Sequence, residues 1–212
     1  GLYTSATGGT IVNNTTTVTN SNAHTLYAHW SDIEAPACTL TLGGPDVYVG
    51  NSTTVILKCT DTGSGIATTT LTSSSLTLSS SLGTLSTPTV TSINGGYQYV
   101  YTFTAGSTNG SLTFALDSGK VKDNAGNSNA EITSSALIVK KDLKITYKLN
   151  GASSFTYSDK TYTSDTTITL CTLTTNTSCN ITLPTITASS TTPTIIGWSD
   201  AASNHTASYN SG

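Results

Sequence analysis

The sequence predicts an all-β protein organised around a two-layer β-sandwich. Three observations carry that expectation. Thr supplies 46 of the 212 residues and Ser another 30, so hydroxyl side chains exceed a third of the chain. Thr is β-branched, stiff at χ1, and suited to a pleated, half-buried surface. Val, Ile, Leu and Tyr alternate with it, the period-two pattern of strands, and no stretch sets apolar residues at i, i+3, i+4 and i+7 as an amphipathic helix would.

Charge narrows the function classes. Only 9% of residues are charged, with eight Lys, no Arg and a net charge of −3. A nucleic-acid binder would show a basic stripe, which is lacking here. Wholly apolar runs extend for only a few residues, too short for a membrane span. The chain opens at Gly1 without the pattern of a signal peptide, and it reads as a processed or excerpted piece. Hydrophobic content of 35% is low for a globular domain, but ordered alternation argues against a disordered polar tract. Thr on strand exteriors keeps such a chain soluble without charge.

The elements divide into three segments. Residues 1–31 hold strands at 10–12 and 25–30, joined by a Thr/Asn-rich connection. Ser31-Asp32-Ile33-Glu34-Ala35-Pro36 reads as a linker, because Pro36 imposes an extended conformation on the residue before it. Residues 32–141 hold seven short strands, at 38–42, 53–60, 68–78, 87–92, 97–104, 111–116 and 132–139. That number and spacing, with Gly, Asn and Asp between them, suit a sandwich. Asn94-Gly95 predicts a hairpin turn, since both residues accept positive φ. Beyond it Tyr97, Tyr99 and Tyr101 share one face and Gln98, Val100 and Thr102 the other. Residues 142–212 open with a strand at 144–151 and continue through strands near 166–172, 180–185 and 194–200.

Four Cys are spaced too widely for a zinc site. They allow three disulfide connectivities. Local geometry favours Cys38–Cys59, across a Gly43-Gly44-Pro45 turn region, and Cys171–Cys179, across Thr-Thr-Asn-Thr in an expected hairpin. Each pairing closes a short loop and implies an oxidising, extracellular compartment. Four buried free thiols are the alternative.

Residues able to carry chemistry are sparse, and the chain is expected to be non-catalytic. It has no G-x-S-x-G elbow, P-loop or dinucleotide fingerprint. His24 and His29 flank a strand and His205 sits in a polar stretch, which suits surface positions. Asp32 and Glu34 lie in the linker, and Asp61 and Asp123 lie in turns of the sandwich. These four acids would hold Ca2+ at the joint, or else accept backbone N–H groups of their own turns with no cofactor at all. Tyr97, Tyr99 and Tyr101 would form a ligand-binding platform for sugar rings if exposed, and would pack in the core if not. Trp30 and Trp198 read as core residues. Asn13, Asn14, Asn51, Asn109, Asn176, Asn180 and Asn204 each begin N-x-S/T, as chance supplies in so Thr-rich a chain.

Family resemblance adds to this reading. Thr25-Leu26-Tyr27-Ala28-His29-Trp30 resembles the closing strand of the Listeria–Bacteroides, or internalin B-type, repeat. Gly1-Leu2-Tyr3-Thr4 with Gly8-Gly9-Thr10 is similar to the middle of that repeat. Ile145-Thr146-Tyr147-Lys148-Leu149-Asn150-Gly151 and Ile196-Gly197-Trp198-Ser199 are similar to its beginning. Asp61-Thr62-Gly63-Ser64-Gly65-Ile66 and Val121-Lys122-Asp123-Asn124-Ala125-Gly126-Asn127 resemble bacterial Ig-like domains. The resemblance implies an Ig-like β-sandwich at 32–141 flanked by two partial β-grasp-like modules, at 1–31 and 142–212.

It further implies an extracellular stalk or filament segment of a bacterial surface protein. Expected partners are neighbouring modules or copies of itself, in a longer array or by complementing each other's incomplete modules, together with a host glycan or matrix protein. A glycan- or protein-binding module is the alternative function. Some Ig-like surface domains carry a covalent Lys–Asn or Thr–Gln bond. Lys58 and Gln98 are the residues here that would take part, although Lys58 at a strand end suits solvent better.

Overall fold

The computed structural model describes residues 1–176 and 178–187, and all regular structure among them is β. The expected strand near 194–200, with Trp198, His205 and Asn204, lies outside the described residues.

The chain begins with three two-residue strands, β1 (Leu2–Tyr3), β2 (Ile11–Val12) and β3 (Tyr27–Ala28). They form an antiparallel sheet in the order β2-β1-β3. None of residues 1–35 is buried. A sheet this short cannot bury its own side chains on either face, and Trp30, expected in a core, is 92% exposed.

The sandwich follows. Its first layer uses β4 (Ala37–Leu42), β6 (Ser52–Thr60), β8 (Gly83–Leu85), β9 (Thr89–Ile93) and β10 (Gly96–Ala105); β5 (Asp46–Tyr48) and β7 (Thr77–Leu78) cross to the other side. The order is β4-β6-β10-β8, with β9 also on β10. β9 and β10 meet through Asn94-Gly95 in a two-residue hairpin, as expected, with Ile93 paired to Gly96; only Gly95, at φ 74°, uses the positive-φ region, and Asn94 does not. Opposite stand β11 (Gly110–Leu112), β12 (Phe114–Leu116), β13 (Ile132–Thr133) and β14 (Leu137–Tyr147). β13-β12-β7 form one sheet, while β11 and the parallel strand β5 pair with the first half of β14.

Alternation decides what fills the space between the layers. On β10, Tyr99, Tyr101 and Phe103 are fully buried and Tyr97 packs beside them, while Thr102 and Thr104 face water. Val55 and Leu57 of β6 join them, against Leu112, Phe114, Leu116, Val121, Leu137 and Val139 of the opposing layer. Phe103 meets Phe114 edge to face at 5.4 Å, the geometry that aromatic quadrupoles favour. Tyr99 and Tyr101 are therefore core residues, while Tyr97 is half-buried, so the three do not stand together as an exposed platform. The expected strand 68–78 shortens to β7, because Ser75 Oγ accepts from Thr72 N and Thr72 O accepts from Ser75 N. This local turn competes with strand pairing.

The last strands among the described residues are β15 (Ser154–Tyr157), β16 (Lys160–Tyr162), β17 (Thr166–Leu173) and β18 (Thr185–Thr187). β17 pairs with the second half of β14, and β16-β15-β18 make a separate sheet. Tyr147, Phe155 and Leu173 are buried here, with Phe155 stacked on Tyr162 at 5.0 Å. β14 runs unbroken across residues 141 and 142, with a register shift between Leu143 and Lys144.

Both disulfides join the expected partners. Cys38 and Cys59 stand directly opposite each other on β4 and β6, and Cys171 is bonded to Cys179. The second does not close a hairpin, since residues 180–184 form no strand. It closes a loop whose Thr174 and Asn176 carbonyls both accept from Asn109 Nδ2, at 2.8 Å each.

Candidate functional site

Asp32, Asp61 and Asp123 converge from three places in the chain. Their carboxylate oxygens lie within 4.8 Å of one another. Asp61 follows directly on β6, Asp123 lies in the loop after β12, and Asp32 comes from the linker after the N-terminal sheet. Asp61 is 5% exposed and Asp123 2%.

Backbone amides hold each carboxylate. Asp61 Oδ1 accepts from Gly65 N at 2.8 Å. Asp123 Oδ1 accepts from Ala125 N and Asn127 N, and its Oδ2 from Asn127 Nδ2. Asp32 Oδ1 accepts from Glu34 N at 3.0 Å and its Oδ2 from Ser64 N at 2.8 Å. The Asn127 amide also donates to Asp32 O, and Asn124 Nδ2 donates to Ser64 O and Gly65 O. The Asp61–Ile66 and Val121–Asn127 motifs thus form one framework, tied by the Ile66–Asp123 bridge. Gly63 is required within it, since a β-carbon there would overlap the Asp32 carboxylate.

The electrostatics follow from these donors. The Glu34 amide, followed by the Ser64 hydroxyl and amide, holds the Asp32 carboxyl below the ordinary value of 3.8, because N–H donors favour the charged form. Three carboxylates gathered this closely carry like charge into one small volume, which disfavours leaving the cluster without donors or a cation. The donor set is all oxygen, which suits a hard cation such as Ca2+. Each carboxylate keeps lone pairs beyond the N–H bonds it accepts, although Asp123 Oδ1, which accepts two, has both of its own engaged.

The fourth expected ligand, Glu34, is exposed and contributes its amide rather than its carboxylate. The turn at Asp32 curls the chain, so the Glu34 backbone faces the cluster.

The remaining candidates are placed as follows. Lys58 is exposed on the outer face, directly between Thr39 and Gln98 in register. His24 and His29 each donate Nε2–H to a carbonyl, of Asn20 and Ser5 respectively, and His29 stacks on Tyr3 at 4.0 Å. An open cleft of about 550 Å³ lies in the N-terminal segment, lined by Val12, Val18, Leu26 and several Thr, and shares no residue with the acidic cluster. In the sequence Asn109 stands out only as the start of an N-x-S/T triplet, and Asn129 not at all. Asn129, 2% exposed, accepts from Val121 N and donates to Asp117 O and Ala130 O. A polar residue in a turn is ordinary in sequence, and nothing there marks which ones turn inward.

No family model matches the chain, and no curated protein matches it. Among solved structures, the SrpA adhesin from Streptococcus sanguinis shows a distant likeness, at 15% identity over 67% of this chain and 94% of that one, with a TM-score of 0.36.

Proposed function

We propose that the chain is a structural and adhesive segment, a stalk or filament subunit, of an extracellular bacterial surface protein. The observation that carries this reading is β14. Its first half pairs with β5 and β11 of the sandwich, and its second half with β17 beyond it. One eleven-residue strand thereby links sandwich and C-terminal segment through continuous backbone hydrogen bonding, with no slack linker between them. The Cys38–Cys59 bond supports the same reading, because it ties β4 to β6 where β4 would otherwise peel away. The two disulfides fit an oxidising, extracellular setting.

Stretching a single chain by its ends tests the proposal. Sandwich and C-terminal segment should resist together and open cooperatively. Reduction should add hidden length of about 70 Å for the 21-residue separation of the first disulfide. Independent opening of the two segments at low force overturns the mechanical reading.

In this reading the Asp32, Asp61 and Asp123 carboxylates take Ca2+ and stiffen the joint after the N-terminal sheet. A raised melting midpoint in calcium is the expected result, and a midpoint indifferent to excess EDTA sinks it. The glycan- or protein-binding alternative has lost its tyrosine face and retains only a sheet edge such as that of β9.

A further inference from the structure

Three Asn stand directly before Gly in the chain: Asn94, Asn109 and Asn150. In such a pair the backbone nitrogen of Gly can attack the Asn side-chain carbonyl carbon, because Gly has no β-carbon to obstruct the approach. The fold treats the first two pairs differently. Asn94 is exposed at the tip of the β9–β10 hairpin. Among the described residues neither its side-chain amide nor the Gly95 N–H has a hydrogen-bond partner. Asn109 is half-buried, and its Nδ2 donates to the Thr174 and Asn176 carbonyls at 2.8 Å each. Gly110 already belongs to β11, opposite Val139.

We propose that Asn94-Gly95 is a self-modifying site, which converts through a cyclic imide to aspartate and isoaspartate, and that the fold shields Asn109-Gly110 from the same reaction. The Gly95 nitrogen loses its proton and bonds to Asn94 Cγ, while the bond from Cγ to Nδ2 breaks and the amide leaves as ammonia. Water then adds to either carbonyl of the imide. Opening at one carbonyl leaves an aspartyl side chain. Opening at the other routes the main chain through Cβ and Cγ, which gives isoaspartate and lengthens the turn by one carbon. Every step is acyl transfer or hydrolysis, so water is the sole co-reactant. The unbonded Asn94 side chain rotates onto Gly95 N at little cost. At Asn109 two hydrogen bonds must break first, and both belong to the clamp on the loop closed by Cys171–Cys179. Conversion puts a new carboxylate into the turn whose Gly95 O accepts from Asp61 N at 2.9 Å. It therefore adds negative charge to the hairpin that abuts the acidic cluster.

Incubation of the full oxidised chain in mildly alkaline buffer, followed by peptide mapping with mass spectrometry, tests the site. Exchange of an amide for an acid raises the mass of the peptide that carries it, and an isoaspartyl methyltransferase labels the isoaspartate. Fragmentation reads Asn94, Asn109 and Asn150 separately. Asn94 should convert at least about tenfold faster than Asn109, the factor set by releasing two hydrogen bonds. In the reduced chain unfolded in urea the two should convert at comparable rates, because the clamp on Asn109 is then gone. Native Asn109 converting as fast as Asn94, or Asn94 staying intact while the unfolded chain converts, overturns the proposal. The stretching experiment on single chains is independent of either result, so the scaffold reading stands or falls separately.

Discussion

Replacing Tyr101 with Phe should stabilise the protein. The Tyr101 ring is fully buried between the sandwich layers, and its hydroxyl finds no hydrogen-bond partner among the described residues. Burial is also the main reason its ionisation is pushed up to about 12, with the neighbouring Tyr99 adding to it. An unpartnered buried hydroxyl carries a desolvation cost of about 1–3 kcal/mol. Tyr101→Phe removes that cost and keeps the ring, leaving a gap of one oxygen atom whose lost contacts offset part of the gain. The net expectation is about 1 kcal/mol of added stability, or a melting midpoint higher by about 2–4 °C for a chain of this size.

Alkaline unfolding gives a second readout of the same group. The folded-state value lies above the ordinary 10.0, so the folded chain holds this proton more tightly than the unfolded one. Its contribution is complete below pH 10 and is lost as pH rises towards 12, by about 2–3 kcal/mol in all. The Phe variant should lose less stability over that range. Thermal and urea melts at neutral and high pH measure both effects. Destabilisation by more than about 1 kcal/mol at neutral pH would show that the hydroxyl has a partner, and would refute the reasoning.

Three further outcomes follow from the geometry. Replacing Cys38 and Cys59 by Ala should cost about 3 kcal/mol in urea denaturation, from the loop entropy released in the unfolded chain. Asp32→Ala should flatten the acid limb of the stability curve. The depressed Asp32 value contributes stability above 3.8 that is lost as pH falls through the lowered value, and urea midpoints across that range would show it. Asn109→Ala removes two bonds to the Thr174 and Asn176 carbonyls. It should speed hydrogen exchange in the loop closed by Cys171–Cys179 while costing about 1–2 kcal/mol at most, and unchanged exchange would deny Asn109 this role.

Much of the sandwich was legible in the sequence because strand periodicity is local. β4, β6 and β10 lie within a residue or two of their expected bounds, since alternating Thr and apolar residues mark both strand and face. The Asn94-Gly95 hairpin and both disulfide pairings were legible for the same reason. β5 was not, as a three-residue parallel strand is defined by pairing with residues more than ninety positions away. The 68–78 stretch misled because its hydroxyls satisfy the backbone locally. Three of the four expected acidic ligands do converge, but their convergence depends on where two loops and a linker meet.

By itself the sequence determined that this chain is all-β, charge-poor and held by two short-range disulfides, because composition, period and spacing act along the chain. Tertiary structure alone decided which aromatics are hidden. Tyr101 and Trp30 sit in similar alternating contexts, yet one lies between two layers and the other stands in water. The difference arises because β10 is covered by an opposing layer, whereas the N-terminal sheet has two-residue strands and no buried residue. Burial requires a second surface, and only the folded arrangement supplies one.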